Sequence, residues 1–217
     1  MPRSSAIRTC ALVVLCLFTS ISTAARFEEL SVAETNGEYR LRIVALLNAP
    51  ADYVHNVITD YKHAYRINPS IIKIEILPFD HNHNNVVRLR NLSEHRVGPF
   101  CFDIHWVGDI LEDKAGIIKI RTVPELSSFK SGSAIWEIRP RGESTWVLHE
   151  SRLKPDFFIP PVIGDTIMKN KMRTDTQATF KRIECQAIAM FERDMEADTY
   201  LLKRLSNEER DCIKPDG

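Results

Sequence analysis

Apolar and polar positions change their period twice along this chain. Leu30-Ser-Val-Ala33 and Tyr39-Arg-Leu-Arg-Ile-Val-Ala-Leu-Leu47 are apolar-rich runs on either side of Asn36-Gly37. Asn-Gly between two such runs predicts a β-hairpin with a tight primed turn. Asn48-Ala-Pro-Ala-Asp-Tyr53 then opens a helix, with Asn48 or Ala49 near its cap and Pro50 in its first turn. Tyr53, Val54, Val57, Ile58 and Tyr61 give that helix an apolar face at helical spacing. A second short helix over Tyr61 to Ile67 must stop at Asn68-Pro69, because the residue before a proline is pushed out of the helical region.

From Ile71 to Leu153 the period becomes two. Ile72, Ile74 and Ile76 alternate with Lys73 and Glu75, and Val87 and Leu89 with Arg88 and Arg90. Phe102, Ile104 and Trp106 alternate with Cys101, Asp103 and His105, which places Asp103 and His105 outside. Ile118 and Ile120 alternate with Lys119 and Arg121, then Ala134, Trp136 and Ile138 with Ile135 and Glu137, and Trp146 to Leu153 forms the last run. Six runs separated by Gly, Pro, Asn or Asp turns predict an antiparallel meander with one wet and one buried face. The C-terminal segment is what remains to cover the buried face. After the break Lys154-Pro-Asp-Phe-Phe-Ile-Pro-Pro-Val-Ile-Gly164 it carries Met168, Met172, Thr176, Phe180, Ile183, Ala187 and Met190 on one helical stripe. Lys169, Lys171, Arg173, Asp175, Lys181 and Arg182 are assigned to its solvent face. Residues 191–217 read as a charged helical extension that frays into a tail.

The first 24 residues follow different rules. Arg3 and Arg8 without an acid, the apolar run Cys10 to Phe18 and Ser22-Thr-Ala24 have the order of a secretory signal. The expectation is a signal peptide over 1–24, a mature chain from Ala25, and a periplasmic or secreted location. Cys101, Cys185 and Cys212 would then remain, permitting one bridge at most and forming neither a disulfide framework nor a zinc spacing. The whole chain has 217 residues with 29 Lys+Arg against 29 Asp+Glu. That balance argues against a nucleic-acid partner, which would be bound by phosphate neutralisation.

The order of hairpin, short helices after a proline, six-stranded meander and long final helix resembles the START/polyketide-cyclase-like superfamily, also called SRPBCC. That superfamily includes the coenzyme Q-binding START proteins and the pollen-allergen relatives. The matching residues are Ala49-Pro-Ala-Asp-Tyr-Val54, Thr59-Asp-Tyr61, Tyr65, Asn68-Pro69, Gly132-Ser-Ala-Ile-Trp-Glu-Ile-Arg-Pro140, Pro155 and Ile159-Pro-Pro-Val-Ile-Gly164. The resemblance covers residues 27–190. It implies an α+β helix-grip fold over 25–190: a curved antiparallel sheet wrapped around a long C-terminal helix, with two short helices after the first strand. It also implies an apolar cavity between sheet and helix.

On strand alternation the sheet wall of that cavity is Ile74, Leu89, Ile104, Trp106, Ile120 and Trp136. The last strand adds Val147 and His149 if the loop after Pro140 is even. An odd loop would put Trp146, Leu148, Glu150 and Arg152 inside instead, since a one-residue slip exchanges the faces. Met172, Thr176 and Phe180 form the helix wall, where thioethers adapt to ligands of variable shape. Phe157, Phe158, Ile159 and Pro160 read either as a portal in transient contact with a membrane surface or as a buried linker clamped on the sheet. His81-x-His83 has the look of a metal pair but sits in an Asn-rich turn, and no metal or cofactor is expected.

The expected function is an exported, non-enzymatic carrier, chaperone or sensor of an apolar molecule such as a quinone, sterol or other lipid. The alternatives are an aromatase/cyclase-type enzyme, in which His149 guides carbonyl chemistry, and a protein-interaction module.

Overall fold

The computed structural model describes residues 25–78, 86–97, 100–113, 115–159 and 164–212. Side chains are described over the same residues except 96–97, 100–102 and 200–212. The leader, His81, His83, Pro160 and the side chains of Cys101 and Cys212 lie outside what is described; Cys185 is an exposed free thiol.

The chain opens with β1 (Arg26–Thr35) and β2 (Glu38–Leu47). Thr35 pairs with Glu38 across Asn36 at φ 54° and Gly37 at φ 78°. Both turn residues therefore have positive φ, which is why Asn-Gly closes this hairpin. Helix α1 (Ala51–Thr59) and a 3-10 helix (Tyr61–Arg66) follow the hairpin. Pro50 itself is the N-cap, extended and without a side-chain cap, because its ring carries no acceptor; Asn48, two residues earlier, donates its backbone N–H to Glu184 Oε1 at 2.8 Å.

The meander then runs through β3 (Ile71–Leu77), β4 (Val86–Val97), β5 (Phe100–Glu112), β6 (Ile118–Thr122), β7 (Phe129–Arg141) and β8 (Ser144–Pro155). All eight strands form one antiparallel sheet in the order β1-β2-β8-β7-β6-β5-β4-β3. Helix α2 (Gly164–Cys212) closes the concave side as one element of 49 residues. Its residues 191–199 are exposed throughout.

One core cluster holds this arrangement. Leu41, Ile43, Ala45 and Leu47 of β2 and Val147 of β8 pack with Val54, Val57 and Ile58 of α1. Phe180, Ile183 and Ala187 of α2 are fully buried against the same cluster. The backbone of α2 runs close to α1, β1 and β2 and stands farther from β3–β6. The helix is thus seated along one margin of the sheet.

A candidate ligand cleft between sheet and helix

Pairing of Arg141 with Ser144 leaves a two-residue turn, Gly142-Glu143, between β7 and β8. The loop is even, so Trp136 pairs with His149, Ile138 with Val147 and Ala134 with Ser151. That register places His149 on the concave face and sends Trp146, Leu148, Glu150 and Arg152 to the convex one. Asp103 and His105 lie exposed on the convex face. Arg42 stands there between Glu29 and Glu150, and Arg88 grips Asp109 at 2.6 and 2.8 Å.

The residues expected to line a cavity all fall on concave-facing positions of their strands or on the facing helix, yet they divide into two kinds. Leu89, Val147 and Phe180 belong to the packed core. Ile74, Ile104, Trp106, Ile120, Trp136, His149, Met172 and Thr176 are half-buried. Trp106, Ile120, Trp136 and Met172 pack against the core cluster and still keep accessible surface, which makes the open part of the concave face a candidate cleft. It lies on the side where α2 stands off from β3–β6.

Two glycines shape its floor. A Cβ at Gly108 would overlap the indole of Trp106, and one at Gly132 would overlap Thr122 Oγ1. The bare backbone at 108 lets the Trp106 ring lie along the sheet, where Nε1 donates to Thr122 Oγ1 at 3.0 Å. A large apolar face is thereby presented to the cleft with its one polar atom already satisfied.

His149 stands on β8 at the inner border, beside Trp136. Its ring stacks on Trp136 at 4.0 Å between centroids and 28° between planes, and Trp136 stacks in turn on Phe180 of α2 at 5.5 Å. Nδ1 donates to the carbonyl of Ile135 at 3.1 Å. Burial pushes the imidazole down to about 4, only weakly opposed by that hydrogen bond, so the ring is neutral at physiological pH.

A polar group lies near the β4 margin. Leu89 continues by alternation through Asn91, Ser93 and His95, which pair with Trp106, Ile104 and Phe102. His95 Nε2 is 3.0 Å from Ser93 Oγ, and its Nδ1 is 4.0 Å from Asp175 of α2. Lys171 holds Asp175 at 2.7 and 3.0 Å. Burial, and then the Lys171 charge, hold the His95 imidazole below its ordinary value against the pull of Asp175. Lys171 and Asp175, expected on the solvent face, are half-buried at this margin, where Asp175 faces His95 of β4.

Sequence reasoning passed over Asn91, Ser93 and His95, although the period-two signal continues through them. It also passed over Glu184, 4% exposed, which accepts from Asn48 N and Nδ2. At the opposite end, beneath α1, burial beside Glu112 pushes the Tyr61 phenol up to about 12, and Glu112 also meets His55 Nε2 at 2.7 Å.

The segment expected as a portal is split. Phe157 packs edge-on against Phe129, while Phe158 is 79% exposed. Phe157 and Ile159 line a pocket of about 310 Å³ with Glu34, Gly37, Tyr39, Pro155 and Asp165. Among the described residues no helix is long and apolar enough to cross a membrane, and no group of three His, Cys, Asp or Glu side chains could hold a metal ion.

Solved structures share this architecture at low identity. A protein from Thermus thermophilus superposes with a TM-score of 0.56 at 17% identity, over 70% of this chain and 98% of its own. The Zhui aromatase/cyclase from a Streptomyces species gives 0.57 at 16%, over 69% and 93%. A START superfamily protein from Mycobacterium smegmatis gives 0.53 at 15%, over 67% and 97%. The chain has the START-like helix-grip fold. No family model matches the sequence, and no curated protein matches it. At these identities the likeness establishes the helix-grip architecture, and what the cleft holds is a separate question.

Proposed function

We propose that this START-like protein shelters an apolar or amphiphilic small molecule, such as a quinone, sterol or other lipid, between sheet and helix. One observation supports the reading: Trp106, Ile120 and Trp136 of the sheet and Met172 of the helix border the packed core yet keep accessible apolar surface. Burial of apolar ligand surface there would yield about 25 cal/mol per Å² before the costs of association. On this reading the protein is a carrier, chaperone or sensor, acting as a folded domain over 25–190 with the charged extension 191–217 beyond it. Native mass spectrometry of protein from its own host, followed by organic extraction, tests it. A stoichiometric lipid supports the carrier, and an empty protein that takes up no apolar probe removes it.

The same proposal includes export, with residues 1–24 cleaved and the exposed Phe158 touching a membrane surface transiently. What supports it is the Ala24-Ala25 junction immediately ahead of β1. N-terminal sequencing should begin at Ala25 or Arg26, and protein that still carries Met1 would contradict it.

A second reading, an aromatase/cyclase-type enzyme, has one observation in its favour. His95, Asp175 and Lys171 converge at the β4 margin beside Ser93. Product formation from a polyketide-like substrate that collapses in His95→Gln would favour it over the carrier.

A further inference from the structure

The cleft has a chemical preference written into His149, and the inference rests on the reading of that cleft as the ligand site. A carbonyl oxygen can only accept, so the 3.1 Å contact between Nδ1 and the Ile135 carbonyl fixes the ring proton on Nδ1. Nε2 is then a bare lone pair. It has no hydrogen-bond partner among the described residues. Asp165 Oδ1 is the fully buried side-chain oxygen or nitrogen left unpartnered among them, so the unpartnered Nε2 of His149 keeps some accessible surface. Stacking on Trp136 holds the ring plane, so the lone pair keeps one direction.

We propose that Nε2 of His149 accepts a hydrogen bond from a hydroxyl of the bound molecule, so that the cleft takes an apolar body bearing an alcohol or phenol. A ketone, ester or ether oxygen at that position would set one acceptor against another, and a carboxylate would add a charge facing a neutral acceptor. This reverses the carbonyl-orienting role expected for His149 from the sequence: the proton a carbonyl would need already belongs to Ile135. The neutrality that burial imposes on the imidazole agrees, since a charged ring would offer a donor there instead.

The experiment compares 1-dodecanol with dodecyl methyl ether, which have the same apolar body with and without the donor, by displacement of a bound fluorescent naphthalene sulfonate. The alcohol should bind on the order of tenfold more tightly to the wild type, the difference expected for one hydrogen bond against an unpaired buried acceptor. In His149→Phe, which keeps an aromatic ring against Trp136 but removes the acceptor, alcohol and ether should bind alike. Equal affinity of the two in wild type would overturn the hydroxyl preference while leaving the cleft intact as a ligand site. Displacement by neither would remove the cleft as a ligand site, and this inference with it. Should His149→Phe fail to fold, nitrogen-15 histidine labelling of the wild type decides. The Nε2 resonance should move on addition of dodecanol and stay put with the ether, and no movement with dodecanol would overturn the proposal.

Discussion

The indole of Trp136, on the seventh strand, and the ring of Phe180, on the closing helix, lie 5.5 Å apart and 22° from parallel. This stack joins the two layers at the inner border of the cleft. Phe180 is 0% exposed and also meets Phe27 edge-on, whereas Trp136 keeps accessible surface beside His149. One partner is therefore structural and the other faces both ways.

Truncating Phe180 should accordingly cost more than truncating Trp136. Phe180→Ala is expected to destabilise the fold by about 3–5 kcal/mol, with Trp136→Ala at the lower end of that range because its site is already partly open. Urea denaturation measures both. Folded protein from either variant should take up an apolar fluorescent probe more weakly than wild type. Undiminished uptake in both would place the binding surface elsewhere.

The buried imidazole makes stability depend on pH in a defined direction. His149 titrates at about 4 in the folded chain, against the ordinary histidine value of 6.5. Between those values the unfolded chain holds a proton that the folded chain does not. Stability is therefore complete above about pH 6.5 and falls as pH drops towards 4, by on the order of 3 kcal/mol. The depressed His95 adds to the same slope. His149→Phe should flatten most of this loss when unfolding is compared at about pH 7 and about pH 4.5. An unchanged slope would mean that the ring is hydrated in the folded protein.

Glu184 ties the closing helix to the turn after β2. Glu184→Ala removes the acceptor that Asn48 N and Nδ2 donate to and should cost about 1–3 kcal/mol, whereas Glu184→Gln, which keeps an acceptor, should cost less. Thermal unfolding of the two variants side by side reads the difference. Equal losses would show that charge rather than the hydrogen bond carries the link.

At Gly108 a single methyl group is expected to matter. Gly108→Ala pushes a Cβ into the Trp106 ring, which must leave its place along the sheet and its bond to Thr122. The cost should be about 1–3 kcal/mol, with a changed near-ultraviolet dichroism of the indole. A spectrum identical to wild type would show that the ring does not lie over this glycine.

Much of the architecture was legible because it rests on local rules. Asn36-Gly37 specified a turn that only positive φ can close, and alternating runs specified strands whose wet and buried faces follow from the pleat. The face of His149 was not legible in the same way. It depends on whether the turn after Arg141 holds two residues or three, and Gly142-Glu143 suits both.

Glu184 was missed for another reason. It lies four residues after Phe180 and three before Ala187, squarely on the apolar stripe, and a pattern built from apolar residues steps over a carboxylate there. Only the tertiary position of Asn48, 136 residues away in sequence, explains why a carboxylate is tolerated at that depth. Lys171 and Asp175 were misassigned for a related cause: periodicity gives a face of the helix, and only the tertiary approach of His95 on β4 shows that this face is partly covered.

The seating of α2 along one margin decides which part of the molecule must move when something enters. Raising the helix would break the Trp136–Phe180 stack, the Glu184–Asn48 link and the contacts with α1 together. Swinging β3 and its neighbours outward spares these three and breaks instead the His95–Asp175 approach and the His55–Glu112 contact. The helix is thus the frame and the far strands are the door, hinged near β7. Backbone amides of β3 and β4 should exchange with deuterium sooner than those of β2 and β8, and a molecule held in the cleft should slow that exchange first at the free edge.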